Sequence, residues 1–285
     1  MLFRSHYALA PQGDAVAIES RDAQGQMVSH TTPLLVLAEG SGPQRAATPR
    51  RDALLRREGT RRRTFDAALT AGREYGQSAV VCEVRTELPH GHRAWERFTP
   101  EGPLALLPTG DALALVWSTN HETAHALCAL REPAFLARLA THFGGRLGRF
   151  LSASARSAFP VSLAYRRELA MPRVLAIGNA AQTLHPVAGQ GLNLGFRDAH
   201  ALAEALQAPG SREDPGAAPV LQRFLDARLL DRRGGIAFTD ALVRIFSNDI
   251  GALGVMRGAG LTALDCLPPL RHFVARRMMF GANGF

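Results

Sequence analysis

Apolar and polar positions follow two periods along this chain, and the change between them divides it. Residues 15–20 and 27–31 alternate around the polar stretch 21–26, which predicts two strands about a turn. Leu34-Leu35-Val36-Leu37-Ala38 is a continuous apolar run and predicts a buried strand ending on Glu39-Gly40. Residues 41–74 have no period. From Tyr75 the β pattern returns at 78–86, 94–98, 104–107 and 112–117. Pro and Gly turns separate these runs, and the short spacing predicts an antiparallel sheet. Residues 133–143 have helical spacing. Val174-Leu175-Ala176-Ile177, closed by Gly178, predicts a second buried strand. Beyond a loop, Leu192, Leu194, Phe196, Ala199, Leu202, Ala203 and Leu206 recur at helical spacing, so a helix is expected to begin between Gln190 and Asn193. After a Pro/Gly loop at 209–219, Val220, Leu221, Phe224, Leu225, Leu229 and Leu230 predict a helix. Gly234-Gly235 is expected to interrupt it, with Phe238, Leu242, Ile245 and Phe246 continuing as another. The apolar stripe of the tail, through Leu261, Leu264, Leu267 and Phe273, is expected to be packing.

The strand, loop and helix from Val174 to Leu206 carry the candidate chemistry. The loop holds His185-Pro186 and then Gly189-Gln190-Gly191. Glycine lets a ligand approach the backbone closely. The helix start offers unpaired N–H groups and about half a positive charge to an anionic or electron-rich group. Short Gly motifs alone also mark ordinary strand-to-helix turns.

The whole string is more specific. Gly178-Asn179-Ala180-Ala181, His185-Pro186, Gly189-Gln190-Gly191, Asn193-Leu194-Gly195 and Arg197-Asp198 together resemble the second FAD-binding motif of the aromatic-ring flavoprotein monooxygenases of the p-hydroxybenzoate hydroxylase type. Within that class the string is most similar to the ubiquinone-biosynthesis hydroxylases. Asn179 and Gln182, where most of the class has Asp and His, resemble the branch acting on 2-polyprenyl-6-methoxyphenol. Glu39-Gly40 resembles the family's Asp-Gly motif, with Glu in place of Asp. Residues 95–98 and 102–108 resemble its substrate-domain sheet, and residues 156–161 resemble the family's segment leading back towards the FAD motif.

The resemblance implies an α/β fold: a partial FAD-binding Rossmann-like domain, an antiparallel-sheet substrate domain and C-terminal helices. The implied division is 1–74 and 166–208 for the FAD-binding domain, 75–165 for the substrate domain and 209–285 for the helices. It further implies FAD as cofactor, NAD(P)H as electron donor, and O₂ with a lipophilic phenol as substrates, in hydroxylation of a polyprenylated ring. Cofactor contacts are implied for Glu39, Gly40, Gly178, Asn179, Ala180, Pro186, Ala188, Gly189, Gln190, Gly191, Leu192 and Asn193, and Pro186 and Val187 would face substrate. No catalytic base is identified. For His185 and His200 a structural role is favoured.

Family members also carry a GxGxxG motif in a βαβ unit that seats the FAD pyrophosphate. No GxGxxG occurs here. The chain therefore looks amino-terminally truncated relative to the family, and weak FAD binding or none is expected of it. A truncated, non-catalytic homologue acting as a binding or scaffold protein is the alternative.

Composition changes little of this. Hydrophobic residues at 46% and charged residues at 20% are globular values. No run reaches the roughly 18 to 20 apolar residues of a membrane span. Cys82, Cys128 and Cys266 form no CxxC pair, which suggests neither a metal site nor a disulfide framework and fits a cytoplasmic protein. All 33 basic residues are Arg, and residues 45–63 hold eight against two acids, a net 8 − 2 = +6 of the chain's +8. Without interleaved aromatics or a nucleic-acid motif, that cluster predicts a solvated loop rather than nucleic-acid binding. Peripheral attraction to an anionic inner-membrane face, or a place in a ubiquinone-biosynthesis complex, stays open, and Met278-Met279-Phe280 beside Arg276-Arg277 would suit the former.

Overall fold

The computed structural model describes residues 8–21, 26–38, 69–246 and 251–281. Glu39, Gly40 and the Arg-rich stretch 45–63 lie outside the described residues. By contacts the chain divides into two units. One holds Met1–Gly72, Ala164–Thr183 and Gln190–Gly235; the other holds Arg73–Leu163, Leu184–Gly189 and Ile236–Phe285. The expected C-terminal block 209–285 is thus split after Gly235, and residues 184–189 group with the second unit.

In the first unit, β1 (Ala8–Gln12), β2 (Ala15–Arg21) and β3 (Met27–Thr32) form an antiparallel sheet in that order. β1 and β2 join through Gly13-Asp14, where Gly13 takes the positive φ of 55° that a two-residue hairpin turn requires. The apolar run of β4 (Leu35–Leu37), half-buried at Leu35 and Val36 and buried at Leu37, pairs in parallel with a later, fully buried apolar run, Val174–Ala176. Continuous rather than alternating hydrophobicity is what a sheet covered on both faces demands.

The second unit begins with β5 (Leu69–Thr86), followed by β6 (Trp95–Thr99), β7 (Gly102–Thr109) and β8 (Ala112–Asn120). Helices α1 (His121–Ala129) and α2 (Glu132–Phe143) come next, then β9 (Phe150–Ala153) and β10 (Ser157–Arg166). The sheet runs β10-β5-β8-β7-β6, with β9 also pairing β5. Alternation decides its faces. Val80, Cys82 and Val84 stand beside Trp117, Leu115 and Leu113, and Leu104 and Leu106 extend the rows. These side chains form one core with Leu127, Phe135, Leu139 and Phe143 of the two helices. Ala105, Val116 and Val81 occupy the other face and are half-buried.

Back in the first unit, β11 (Ala170–Met171), β12 (Val174–Ala176) and β13 (Gln182–Thr183) precede α3 (Gln190–Gln207). β12 lies between β11 and β4, and β13 pairs with Ala164 and Tyr165 at the end of β10. Helix α4 (Ala218–Phe246) runs straight through Gly234-Gly235, against the expected interruption. Glycine within a helix costs about 1 kcal/mol relative to alanine but removes no backbone hydrogen bond. Gly235 instead serves packing: a Cβ there would come within 3.2 Å of the buried Leu194 side chain of α3. Ala201, Leu202 and Ala205 of α3 and Val220, Leu221 and Phe224 of α4 close the core over β12.

Helices α5 (Gly251–Cys266) and α6 (Pro268–Phe280) complete the described chain. The expected packing role of this tail does not hold. Val255, Met256, Leu261, Leu267, Phe273, Met279 and Phe280 are exposed, and α6 buries none of its residues.

Candidate functional site

Strand β12 ends in a tight turn. Gly178 has φ 58°, a left-handed conformation that favours glycine, and Gly178–Ala180 form one 3₁₀ turn closed by the Ala181 N–H on the Gly178 carbonyl (2.9 Å). A Cβ on Gly195 of α3 would lie 3.6 Å from the Gly178 Cα, so helix and turn are in van der Waals contact here. Asn179 is exposed at the turn, whereas Ala180 is buried and its carbonyl accepts from the Arg166 guanidinium (2.7 Å).

A buried ionic network lies behind this turn. The Asp198 carboxylate accepts from the Gly178 N–H (3.0 Å) and the Gln182 amide (2.9 Å) on one oxygen, and from Arg228 Nε (2.7 Å) on the other. Arg228 also reaches Asp231 (2.7 Å), which pairs with Arg197 (2.9 Å). Arg232 donates to Gln182 Oε1 (2.6 Å) and the Arg166 carbonyl (2.7 Å). Burial lowers the Arg232 pKa from its ordinary value. Arg166, Arg228 and Arg232 are buried, as are Asp198 and Asp231.

In the second unit, residues 184–189 form the loop that leads along the chain into α3. His185 is buried, and its Nδ1 accepts from the Val187 N–H (3.1 Å), capping the 3₁₀ turn Pro186–Ala188. That acceptance leaves the ring proton on Nε2, which donates to Gln77 Oε1 (3.1 Å). Gln77 in turn donates to the Glu101 carbonyl (2.5 Å). Tyr75 meets the His185 ring edge-on at 5.4 Å and donates its hydroxyl to Asp240 (3.0 Å). Burial lowers the His185 pKa to about 4, so the ring is neutral at physiological pH, and burial raises that of Tyr75. The structural role expected for His185 is thus the one found. Pro186 and Gly189 are exposed, and Gly189 takes φ 58° as the chain turns into α3.

At the start of α3, the N–H groups of Gly191 and Leu192 have no acceptor within the helix. A Cβ at Gly189 or Gly191 would meet nothing within 4 Å. Leu192 is exposed, and Gly191 and Asn193 are half-exposed. Gln190 is different. Its side chain is buried and accepts from Arg197 (3.4 Å). This start of a long helix is open around its glycines. Glu39 and Gly40 lie outside the described residues, as does the side chain of Ala188.

Sequence reasoning quoted Asp198 without a role and missed Arg166, Arg228, Asp231 and Arg232 altogether. The signal was present at two of these. Asp198 sits between Leu194 and Leu202 on the apolar stripe of α3, and Arg228 follows Phe224 by one turn on that of α4. A charge on an apolar stripe announces a buried partner.

The profile of the FAD binding domain matches residues 54–214. The chain belongs to that family. It is 38% identical over 207 residues to the ubiquinone hydroxylase UbiL of Rhodospirillum rubrum, covering 72% of this chain and 48% of that protein. It is 36% identical over 194 residues to the 3-demethoxyubiquinol 3-hydroxylase of Escherichia coli K12, covering 67% and 49% respectively. The chain thus spans about half the length of these curated relatives. Among solved structures, its fold is similar to that of the p-nitrophenol 4-monooxygenase PnpA of Pseudomonas putida, with TM-score 0.69 and 18% identity, covering 98% of this chain and 67% of PnpA. The expected α/β architecture, with antiparallel sheets and C-terminal helices, is that of the FAD-dependent hydroxylases.

Proposed function

We propose that this chain serves an FAD-dependent, NAD(P)H-consuming aromatic hydroxylase that uses O₂ to hydroxylate a polyprenylated phenol in ubiquinone biosynthesis. The observation that carries this reading is the start of α3, with its unfilled space at Gly191, in a chain of the FAD binding domain family. When bound, FAD supplies the redox and oxygen chemistry. The protein's part is binding and orientation. The N–H groups of Gly191 and Leu192, at the positive end of the α3 dipole, suit the negative charge that a reduced flavin carries at its N1–C2 carbonyl edge. Asn179, exposed on the Gly178–Ala180 turn, suits the ribityl chain as a neutral hydrogen-bonding partner. Pro186, Ala188 and Gly189 belong to the loop leading along the chain into that helix. The half-site carried by these residues has measurable flavin affinity in this reading.

The test is NAD(P)H oxidation coupled to ring hydroxylation, with a polyprenylated phenol offered beside a small soluble phenol. Turnover of the polyprenylated substrate supports the assignment. Turnover of the soluble phenol alone moves it to another branch of the family. A lipophilic substrate also suits a peripheral position at the inner membrane. The exposed Leu267, Phe273, Met279 and Phe280, with Arg271, Arg276 and Arg277, combine apolar and cationic side chains as interfacial segments do. No helix among the described residues is long and apolar enough to cross a membrane. Co-sedimentation with vesicles containing anionic lipid, and not with purely zwitterionic ones, is the expected result.

A further inference from the structure

We infer that Asp198 is a positioning residue of the flavin site: its carboxylate fastens the Gly178–Ala180 turn to α3 and thereby sets Asn179 against the helix-start donors. The inference rests on the flavin reading above and assigns a role to a residue that touches no ligand in it.

Three donors converge on this one side chain. The Gly178 N–H, the Gln182 amide and Arg228 Nε lie 3.0, 2.9 and 2.7 Å from its oxygens. Asp198 is 2% exposed, so no water competes for these positions. Two oxygens without protons accept all three bonds; a neutral amide offers a single acceptor and would turn an NH₂ group towards one of the donors. The ionised form is therefore the one that fits, and Arg228 supplies the compensating charge. Asp198 stands on the helix whose first turn offers the donors, two turns further along. Its bond to the Gly178 N–H ties the end of β12 to that same helix. Gly195 packs beside Gly178 at this point, where a Cβ on Gly195 would lie in van der Waals contact with the Gly178 Cα, 3.6 Å away. Gln182 completes the frame, bonding Asp198 through its amide nitrogen and Arg232 through its oxygen.

Asp231 is the natural control. It is also buried and shares Arg228, but it stands on α4, reaches α3 only through Arg197, and makes no bond to the Gly178 turn. Asp198→Asn and Asp231→Asn are compared in the full chain by melting temperature, by hydrogen exchange of the Gly178 amide, and by quenching of FAD fluorescence. In Asp198→Asn, exchange at Gly178 and the FAD dissociation constant are expected to rise roughly tenfold, as for loss of a charge-assisted hydrogen bond. Asp231→Asn, at a similar loss of melting temperature, is expected to leave both near wild type. Equal changes in the two variants would overturn the inference, since buried charge alone would then be at issue. If Asp198→Asn does not fold, the neutral pair Asp198→Asn with Arg228→Gln replaces it, with the same expectation for Gly178 exchange. Failure of the wild-type chain to bind FAD would refute the flavin reading, and the Gly178 exchange comparison would still decide whether Asp198 fastens the turn.

Discussion

His185 gives this fold a pH dependence that can be worked from its surroundings. The ring is buried, accepts from the Val187 N–H and donates to Gln77, and its pKa is lowered from 6.5 to about 4 by burial. The unfolded chain therefore takes up a proton at a pH where the folded chain does not. Stability from this residue is fully present above pH 6.5 and is lost as pH falls towards 4. From those two values, the loss is about 2 kcal/mol by pH 5 and about 3 kcal/mol by pH 4. His185→Asn removes the titrating ring while its side-chain oxygen can still accept from Val187. At pH 7.5 the variant is expected to be less stable by roughly 1 to 3 kcal/mol, because Gln77 loses a buried partner. The difference between wild type and variant should then shrink by about 2 kcal/mol on going to pH 5. Urea unfolding of both proteins at a series of pH values measures this, and other titrating groups cancel in the comparison. A difference that stays constant from pH 7.5 to pH 5 would refute the reasoning, since the ring would then not be held neutral by burial.

Further expectations concern packing and charge. Arg228→Met should cost about 3 to 5 kcal/mol in chemical denaturation, because it leaves the buried Asp198 carboxylate without its charge partner and Asp231 with Arg197 alone. Gly102→Ala should destabilise by more than about 2 kcal/mol, since Gly102 has φ 149° and a Cβ there would meet the Ser118 carbonyl at 2.5 Å. Asn120→Ala should cost about 1 kcal/mol through loss of the α1 cap on the Thr123 N–H, seen as a lower melting temperature.

Local pattern carried much of this architecture. Residues 174–206 announced strand, loop and helix because the apolar period changes across two glycines, and the structure has β12, the loop and α3 there. The strands between 78 and 117 were legible because alternation is strict where one face meets helices. Helix α1 was missed: Ala-rich and short, it has a weak apolar stripe, and only Asn120 marks its start. Gly234-Gly235 looked like a break because sequence cannot show that Leu194 needs the space beside Gly235. The network around Asp198 was hidden for the same reason. Its partners are 16 to 30 residues apart along the chain and meet only when α3 and α4 pack. The exposure of α6 was equally invisible, since an apolar stripe has the same spacing whether or not anything covers it.

The central claim is that the start of α3 receives a flavin, and Gly191→Leu tests it most directly. No atom of the described residues lies within 4 Å of a Cβ placed at Gly191, so the branch of the leucine starts in open space, and leucine improves helix propensity. FAD titration of the full chain, followed by fluorescence quenching beside a melting curve, separates the two effects. The account predicts a melting temperature unchanged or raised and an FAD dissociation constant increased by roughly tenfold or more. An FAD affinity equal to that of the wild-type chain, with the fold intact, would contradict it.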